Sequence, residues 1–167
     1  MKILVISDTH GIGRRVPLIL RQTGPVDYLI HAGDVEGEED YIRSIADCPV
    51  CMVAGNNDWG TDLKKEAIFR LEDYRFFVTH GHRYGVSMGT ERLLDEAKSQ
   101  RADIAIFGHT HRPYLKKISN VVLMNPGSVG LPRQTGRKPT FGIITIDSER
   151  NISFSIGQLN DKSVFSG

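Results

Sequence analysis

The segment Asp103-Ile104-Ala105-Ile106-Phe107-Gly108-His109-Thr110-His111 combines an apolar run with two closely spaced histidines. Residues 103–107 hold four apolar side chains in five positions, which is typical of a short buried strand. Gly108 then permits a tight turn. If the chain stays extended after it, His109 and His111 lie on one face, because side chains two residues apart share a face of a strand. Two imidazoles facing one centre indicate a metal site, although His-x-His segments are also common in solvent-exposed loops.

Polar side chains follow four other apolar runs in the same way. They are Asp8 and His10 after residues 3–6, Asp34 after residues 27–32, Asn56 after residues 50–54, and His80 after residues 75–79. Ligands of open α/β sheets bind beyond the carboxyl ends of the strands, so we expect all these side chains to converge at one edge. The resulting set of nitrogen and oxygen donors is too large for one ion and predicts two divalent ions bridged by a carboxylate. We expect Mn²⁺, with Ni, Fe or Zn as alternatives. Two such ions lower the pKa of a bridging water, and the resulting hydroxide attacks phosphorus in line.

The order of apolar runs predicts an α/β domain. Strand and helix patterns alternate as β-α-β-α-β up to residue 58, which favours parallel strands joined by helices. A hairpin, a helix over residues 90–100 and further strands follow. This number of strands predicts a β-sandwich of two sheets with helices outside. We place a single domain at residues 1–157 and a polar tail at residues 158–167.

Composition limits the classes of function. The chain has 167 residues with 21 basic and 20 acidic side chains, so no broad basic surface for long nucleic acids is expected. No apolar run reaches the roughly 20 residues that cross a membrane, and the first apolar run is too short for a signal peptide. We expect a cytoplasmic protein without membrane contact; the sequence leaves a monomer or a homo-oligomer open. Cys48 and Cys51 form a C-x-x-C that we interpret as a strand edge rather than a redox or zinc site.

Five motifs in order resemble those of calcineurin-like metallophosphoesterases. They are Asp8-Thr9-His10, Gly33-Asp34, Gly55-Asn56-Asn57-Asp58, His80-Gly81-His82 and Gly108-His109-Thr110-His111. The small size and the segment Asn125-Pro126-Gly127-Ser128-Val129 are similar to the short YfcE-type phosphodiesterase branch. The resemblance implies a four-layer sandwich flanked by helices and a small phosphoester as substrate.

The resemblance also implies how the ligands divide between two metal ions. Asp8, His10 and His111 would hold the first ion. The second ion would bind Asn56, His80 and His109. Asp34 would bridge the two.

Asn57 departs from the pattern of many relatives, which have a histidine at this position. A histidine there can protonate the leaving oxygen or bind the phosphoryl group, whereas an amide donates a hydrogen bond but is not a general acid at neutral pH. We therefore predict Asn57 as a catalytic hydrogen-bond donor, and phosphodiesterase activity above monoesterase activity.

Weaker predictions concern the surroundings of the site. His82 and Arg133 are candidate substrate-binding residues, with a solvent-exposed loop position and a solvated charge as the respective alternatives. We expect His31 to be packed behind the ligands rather than to bind metal. The acidic run over residues 36–40 is interpreted as a helix start, and Trp59 as a cover of the core rather than a base-stacking residue.

Two other functions stay open at this stage. A retromer subunit with similar motifs acts mainly as an interaction scaffold, and this chain could do the same. A phosphomonoesterase is the other alternative, if the amide of Asn57 does not limit leaving-group protonation.

Overall fold

Two five-stranded sheets pack face to face in the computed structural model, which describes residues 1–160. The two-sheet sandwich is thus confirmed. The strands are β1 Lys2–Ile6, β2 Tyr28–His31, β3 Val50–Met52, β4 Glu66–Leu71, β5 Tyr74–Thr79, β6 Ile104–Ile106, β7 Pro113–Ile118, β8 Val121–Pro126, β9 Thr140–Ile146 and β10 Ile152–Gln158. The helices are α1 Val16–Thr23, α2 Glu39–Ile45 and α3 Glu91–Ser99, with 3₁₀ turns at Gly13–Arg15 and His82–Tyr84.

The first sheet has the order β10-β9-β1-β2-β3. Strands β1, β2 and β3 are parallel and are joined through α1 and α2, as the β-α-β-α-β pattern predicts. Pro17 lies in the first turn of α1, where a missing N–H costs no helical hydrogen bond. Strand β9 returns antiparallel to β1 and closes the sheet together with β10.

The second sheet has the order β4-β5-β6-β8-β7. The predicted hairpin of β4 and β5 is present, and α3 connects β5 to the parallel strand β6. The hairpin of β7 and β8 then places β8 parallel to β6. Strands β5 and β6 therefore end on the same side of this sheet.

Alternating side chains of β1 are buried on both faces. Ile3 and Val5 point toward the second sheet and pack in a cluster with Phe76 and Ile104. Leu4 and Ile6 face outward and pack with side chains of α1 and α2. On the other outer surface, α3 packs on the second sheet through its buried side chains. The result is the four-layer arrangement of helix, sheet, sheet and helix.

Several boundaries differ from the prediction. Helix α2 begins at Glu39 and not at Glu36, because Glu36 and Gly37 have φ angles of 56° and 82° that a right-handed helix excludes. Strand β3 ends at Met52, and the backbone beyond it turns into the loop that carries Asn56.

The last strand runs one residue past the boundary predicted after residue 157. Strand β10 includes Gln158, and the buried Leu159 donates its backbone N–H to the carbonyl of Pro139. Residues 161–167 of the predicted tail lie outside the described residues, and the polar tail stays a prediction. Within residues 1–160 no helix has the length and apolarity of a membrane span.

Candidate metal centre

The loops after β1 and β2 are joined by their backbones. Asp8 donates its N–H to the carbonyl of Gly33 at 2.9 Å, and His10 donates to the carbonyl of Asp34 at 3.1 Å. These bonds bring the carboxylates of Asp8 and Asp34 to the same edge of the sheet, where both are buried. The two loops thus position side chains that are 26 residues apart in sequence, Asp8 and Asp34, as one unit.

Three imidazoles each place one ring nitrogen against an oxygen that only accepts hydrogen bonds. His10 Nδ1 lies 2.7 Å from Glu36 Oε1, and His80 Nδ1 lies 2.7 Å from the carbonyl oxygen of Ala32. His111 Nδ1 lies 2.7 Å from the carbonyl oxygen of Leu131. Each Nδ1 must therefore carry the proton, which assigns the tautomer of the neutral ring. The Nε2 lone pairs of all three rings then face the interior of the site. This is the arrangement that metal-binding histidines adopt.

The donor atoms of the first ligand group lie close together. One ligand atom from each of Asp8, His10, Asp34 and His111 falls within 4.8 Å of the others. Nε2 of His10 and Nε2 of His111 are 3.0 Å apart. When both rings are neutral with the proton on Nδ1, these two lone pairs face each other, and a proton or a metal ion between them removes their repulsion.

Asp8 supplies a second test of whether a cation fits. Its Oδ2 accepts from Ser7 Oγ at 2.6 Å and from the backbone N–H of His109 at 3.2 Å. Its Oδ1 is buried and has no hydrogen-bond partner among the described residues, although Nε2 of His111 is 3.1 Å away. A buried carboxylate oxygen without a donor is costly unless a cation binds it. The donor set and this oxygen therefore fit a divalent metal.

The second ligand group surrounds the amide oxygen of Asn56. Asn56 Oδ1 lies 3.1 Å from His80 Nε2 and 2.9 Å from His109 Nδ1. His80 Nε2 is also 3.3 Å from Asp34 Oδ2. The structure thus brings together every predicted metal ligand, with Asp34 between the two groups.

The charges of the site are strongly coupled. Burial raises the pKa of Asp8, but the imidazoles of His10, His111 and His80 outweigh it and hold that pKa well below its usual range. Burial likewise opposes ionisation of Asp34, yet the neighbouring His80 and the donors of Asn57 lower its pKa to about 2. The carboxylate of Asp8, together with Glu36, raises the pKa of His10 to about 9. A pocket that keeps two buried carboxylates ionised attracts cations, and a metal ion bound there would replace the proton that these carboxylates stabilise on His10.

The predicted catalytic Asn57 contacts Asp34 directly. Its backbone N–H donates to Asp34 Oδ1 at 2.9 Å, and its Nδ2 donates to Asp34 Oδ2 at 2.8 Å. Nδ2 carries two hydrogens, and no residue in the described part of the chain accepts the second. Asn57 therefore orients Asp34 and retains one N–H for another acceptor.

The two predicted substrate-binding residues lie at the rim. The ring of His82 is 5.4 Å from that of His80 and 6.1 Å from that of His109, and its Nδ1 has no partner within residues 1–160. The backbone N–H of Arg133 donates to the carbonyl of His111 at 3.0 Å, and its side chain is exposed. The structure places both beside the ligands, and their contact with substrate stays a prediction.

His31 is packed behind the ligands, as predicted. Its Nδ1 accepts the N–H of Gly33 at 3.2 Å, so Nε2 carries the proton and donates to Thr9 Oγ1 at 3.1 Å. The Thr9 hydroxyl in turn donates to the carbonyl of Asp34 at 3.3 Å. Burial lowers the pKa of His31 to about 4 and keeps the ring neutral.

Sequence reasoning missed the roles of Glu36 and Asp58. Glu36, interpreted as part of a helix start, orients His10. The carboxylate of Asp58 accepts four backbone N–H groups, two on each oxygen; the donors are Asp34, Val35, Glu36 and Gly55. An aspartate two residues after the ligand Asn56 was a usable signal, because carboxylates commonly accept backbone N–H groups in loops.

Trp59 contradicts the prediction that it covers the core. It is 88% exposed, because the preceding Asp58 turns inward to the loop N–H groups and the next position projects to solvent. It lines an open cleft of about 820 Å³ that also includes Asn57. Cys48 and Cys51 are free thiols; Cys51 lies in β3, and Cys48 lies two residues before the strand.

Comparison with known proteins gives the family. Residues 1–149 match the family model of the calcineurin-like phosphoesterase superfamily domain. The chain belongs to this superfamily. It is 33% identical over 150 residues to the probable metallophosphoesterase YsnB of Bacillus subtilis, covering 89% of this chain and 86% of that protein.

Two further proteins support membership of the calcineurin-like phosphoesterase superfamily. Phosphodiesterase YfcE of Escherichia coli K12 is 34% identical over 192 residues, covering 98% of this chain and 95% of YfcE. A crystal structure of a "predicted phosphoesterase" from Streptococcus pneumoniae superposes with a TM-score of 0.81 at 27% identity, covering 94% of this chain and 88% of that one. The predicted resemblance to the YfcE-type branch is confirmed.

Proposed function

We propose that the protein is a dinuclear-metal phosphodiesterase acting on small substrates. The observation that carries the proposal is the set of three imidazoles with Nδ1 occupied and Nε2 directed at the partnerless oxygen of Asp8. A scaffold does not require this arrangement, because a buried carboxylate oxygen without a hydrogen-bond donor is costly unless a cation binds it. The family supports a phosphoesterase, and the name of YfcE supports diesters.

The ligand groups suggest two neighbouring ions. The first would bind Asp8, His10 and His111, and the second Asn56, His80 and His109, with Asp34 shared. When bound, two divalent cations supply a water of lowered pKa and neutralise charge on the phosphoryl oxygens. Nitrogen and oxygen donors without thiolates favour Mn²⁺, and Ni, Fe or Zn also suit such a set.

The residues of the chain contribute orientation and hydrogen bonds. Glu36 and the backbone carbonyls fix the imidazole rings, and Asn57 fixes Asp34. The free N–H of Asn57 can donate to a phosphoryl or leaving oxygen, but it cannot deliver a proton at neutral pH. Substrates with stabilised leaving groups, such as aryl diesters, therefore fit the site better than alkyl monoesters.

The test combines metal content with a pair of substrates. Metal-free protein is reconstituted with Mn²⁺, Ni²⁺, Fe²⁺ or Zn²⁺, its bound metal is measured by elemental analysis, and hydrolysis of bis(p-nitrophenyl) phosphate and p-nitrophenyl phosphate is followed. We expect about two ions per chain and a higher kcat/KM for the diester. The Asp8→Asn variant should lose at least about a hundredfold in rate, because the first ion loses an anionic ligand. Metal-loaded protein without turnover would favour the scaffold, and a faster monoester would favour a phosphomonoesterase.

A further inference from the structure

A second pocket lies beside the metal centre and has only basic charge in its lining. It encloses about 560 Å³ and is bounded by the loop of residues 130–133. Four guanidinium groups line it: Arg15, Arg112, Arg133 and Arg137. Within residues 1–160 none of these four forms an ion pair with a carboxylate, and no acidic residue lines the pocket.

This concentration of charge is local. The whole chain carries 21 basic and 20 acidic residues, so four unpaired arginines around one pocket do not follow from a basic composition. Solvated surface arginines are ordinarily interspersed with acidic groups. Here the like charges repel one another, and an anion between them would offset that repulsion.

Arg15 gives the pocket a fixed wall. Its Nη1 donates to the carbonyls of Val129 and Gly130 at 2.8 and 2.7 Å. Burial lowers the pKa of Arg15, and the neighbouring Arg14 adds to that effect. A held guanidinium loses little conformational freedom when it binds a phosphate, and its planar fork matches two phosphate oxygens.

The pocket is continuous with the metal ligands. His111 donates Nδ1–H to the carbonyl of Leu131, and Arg133 donates its backbone N–H to the carbonyl of His111. Arg112 directly follows His111. The same loop therefore shapes both the first ligand group and the basic pocket.

The cleft on the Asn57 side has the opposite charge. Its lining contains one arginine, Arg43, and five carboxylates: Glu36, Glu39, Asp40, Asp58 and Asp62. A substrate with an additional phosphate would be repelled there and attracted to the arginines. The two sides thus give a doubly anionic substrate one preferred orientation.

We propose that the arginine pocket is a second anion subsite, and that the preferred substrates are phosphodiesters carrying an additional phosphate. This inference rests on the proposed phosphodiesterase function for the location of the scissile phosphate. The additional phosphate binds the guanidinium groups of Arg112 and Arg137, with Arg15 behind them.

The test uses two chromogenic esters that differ by one remote phosphate. These are the p-nitrophenyl ester of thymidine 5′-phosphate and the same ester with a 3′-phosphate. With the Mn²⁺ enzyme we expect kcat/KM to be roughly ten- to a hundredfold higher for the 3′-phosphorylated ester, as charge-assisted hydrogen bonds of this kind provide. The preference should fall as NaCl is raised.

Variants test whether the arginine pocket causes the preference for the 3′-phosphorylated ester. In Arg112→Ala/Arg137→Ala the ratio of the two kcat/KM values should fall to about one. The control Arg92→Ala/Lys98→Ala removes two exposed charges from α3 and should leave the ratio unchanged. A ratio near one in the wild type, or a ratio equally affected by both double variants, would overturn the proposal.

A binding measurement separates this inference from the proposed function. Calorimetric titration in EDTA compares thymidine 3′,5′-bisphosphate with thymidine 5′-phosphate, without any turnover. Tighter binding of the bisphosphate that Arg112→Ala/Arg137→Ala abolishes supports the subsite even if neither ester is hydrolysed. Equal binding of both nucleotides by the wild type overturns the subsite, whatever the activity.

Discussion

Individual residues at the metal centre adopt a backbone conformation that is uncommon outside glycine. Five predicted ligands have φ between 47° and 69°: Asp8, His10, Asp34, His109 and His111. Aspartate and histidine enter this left-handed region more readily than most residues, but the conformation still costs free energy. The convergence of these side chains could be predicted from the sequence because each follows an apolar run. Their backbone strain could not, because it depends on hydrogen bonds between loops far apart in the chain.

The residues that orient these side chains were harder to predict from the sequence than the convergence itself. Glu36 is separated from His10 by 26 residues and sits in an acidic run that favours a helix start by composition. Its positive φ removes it from the helix and turns its carboxylate toward His10. No local sequence pattern indicates a contact between residues so far apart in the chain.

Asn57 allows a direct test of leaving-group protonation. We expect Asn57→His to lower the ratio of diesterase to monoesterase kcat/KM by about tenfold or more, because an imidazole can act as a general acid. The ratio is measured with bis(p-nitrophenyl) phosphate and an alkyl monoester.

The control for this change is Asn57→Ala. It removes the hydrogen bond to Asp34 Oδ2 without supplying an acid. Both activities should therefore fall, and the ratio of diesterase to monoesterase kcat/KM should not decrease. An unchanged ratio in Asn57→His would show that the amide does not limit leaving-group departure.

The buried His31 should make the unfolding free energy of the protein depend on pH. Its folded pKa of about 4 lies below the ordinary value of 6.5, so between these pH values the unfolded chain binds a proton that the folded chain does not. Stability therefore rises with pH from 4 to 6.5, and this contribution, about 3 kcal/mol, is lost as the pH falls. In His31→Asn, which can still accept the Gly33 N–H, the contribution should vanish. The unfolding free energies of wild type and variant are measured with urea in EDTA. Their difference should shrink by about 3 kcal/mol from pH 7 to pH 4. A difference that stays constant would contradict the lowered pKa of His31.

At the scale of elements, Asp58 links the loops that follow β2 and β3. Asp58→Ala leaves four backbone N–H groups without their acceptor. We expect the unfolding free energy to fall by about 2–3 kcal/mol and Mn²⁺ affinity to fall with it, because Asp34 is one of the donors. The matched control Asp62→Ala removes an exposed carboxylate from the same segment and should cost less than about 0.5 kcal/mol. Equal effects of the two variants would show that the four hydrogen bonds contribute little.

The order of strands and helices could be predicted from the sequence, whereas the strands that pair with one another could be predicted only in part. Alternation of strand and helix patterns predicts parallel β1, β2 and β3. The spacing of Leu93, Leu94 and Ala97 predicts one apolar face of α3, and in the structure Leu93 and Ala97 are buried while Leu94 is half-buried. The insertion of β6 between β5 and β8 has no local signal, since it depends on which strand edges remain open after folding.

At the scale of the whole molecule, the two sheets bring their strand ends to one edge. Asp8 and Asp34 come from the first sheet, and His80 and His109 from the second. Ser128, after β8, donates its hydroxyl to the carbonyl of Asp8 at 2.8 Å and so ties the sheets together at the site. The cytoplasmic location stays a prediction, and the choice between a monomer and a homo-oligomer stays open.

Because both sheets contribute ligands, metal binding should stabilise the entire domain. A ligand at a hundred times its Kd adds about 2.7 kcal/mol to the unfolding free energy, which for a domain of this size raises Tm by roughly 5–10 °C. We expect this shift for the wild type on addition of Mn²⁺ to metal-free protein, measured by calorimetry. Asp34→Asn should lose most of it, since we propose that this carboxylate is shared by both ions, whereas Asp95→Asn on α3 should retain it. A wild-type protein that binds two ions without a change in Tm would mean that the ligands from the two sheets do not meet at one centre.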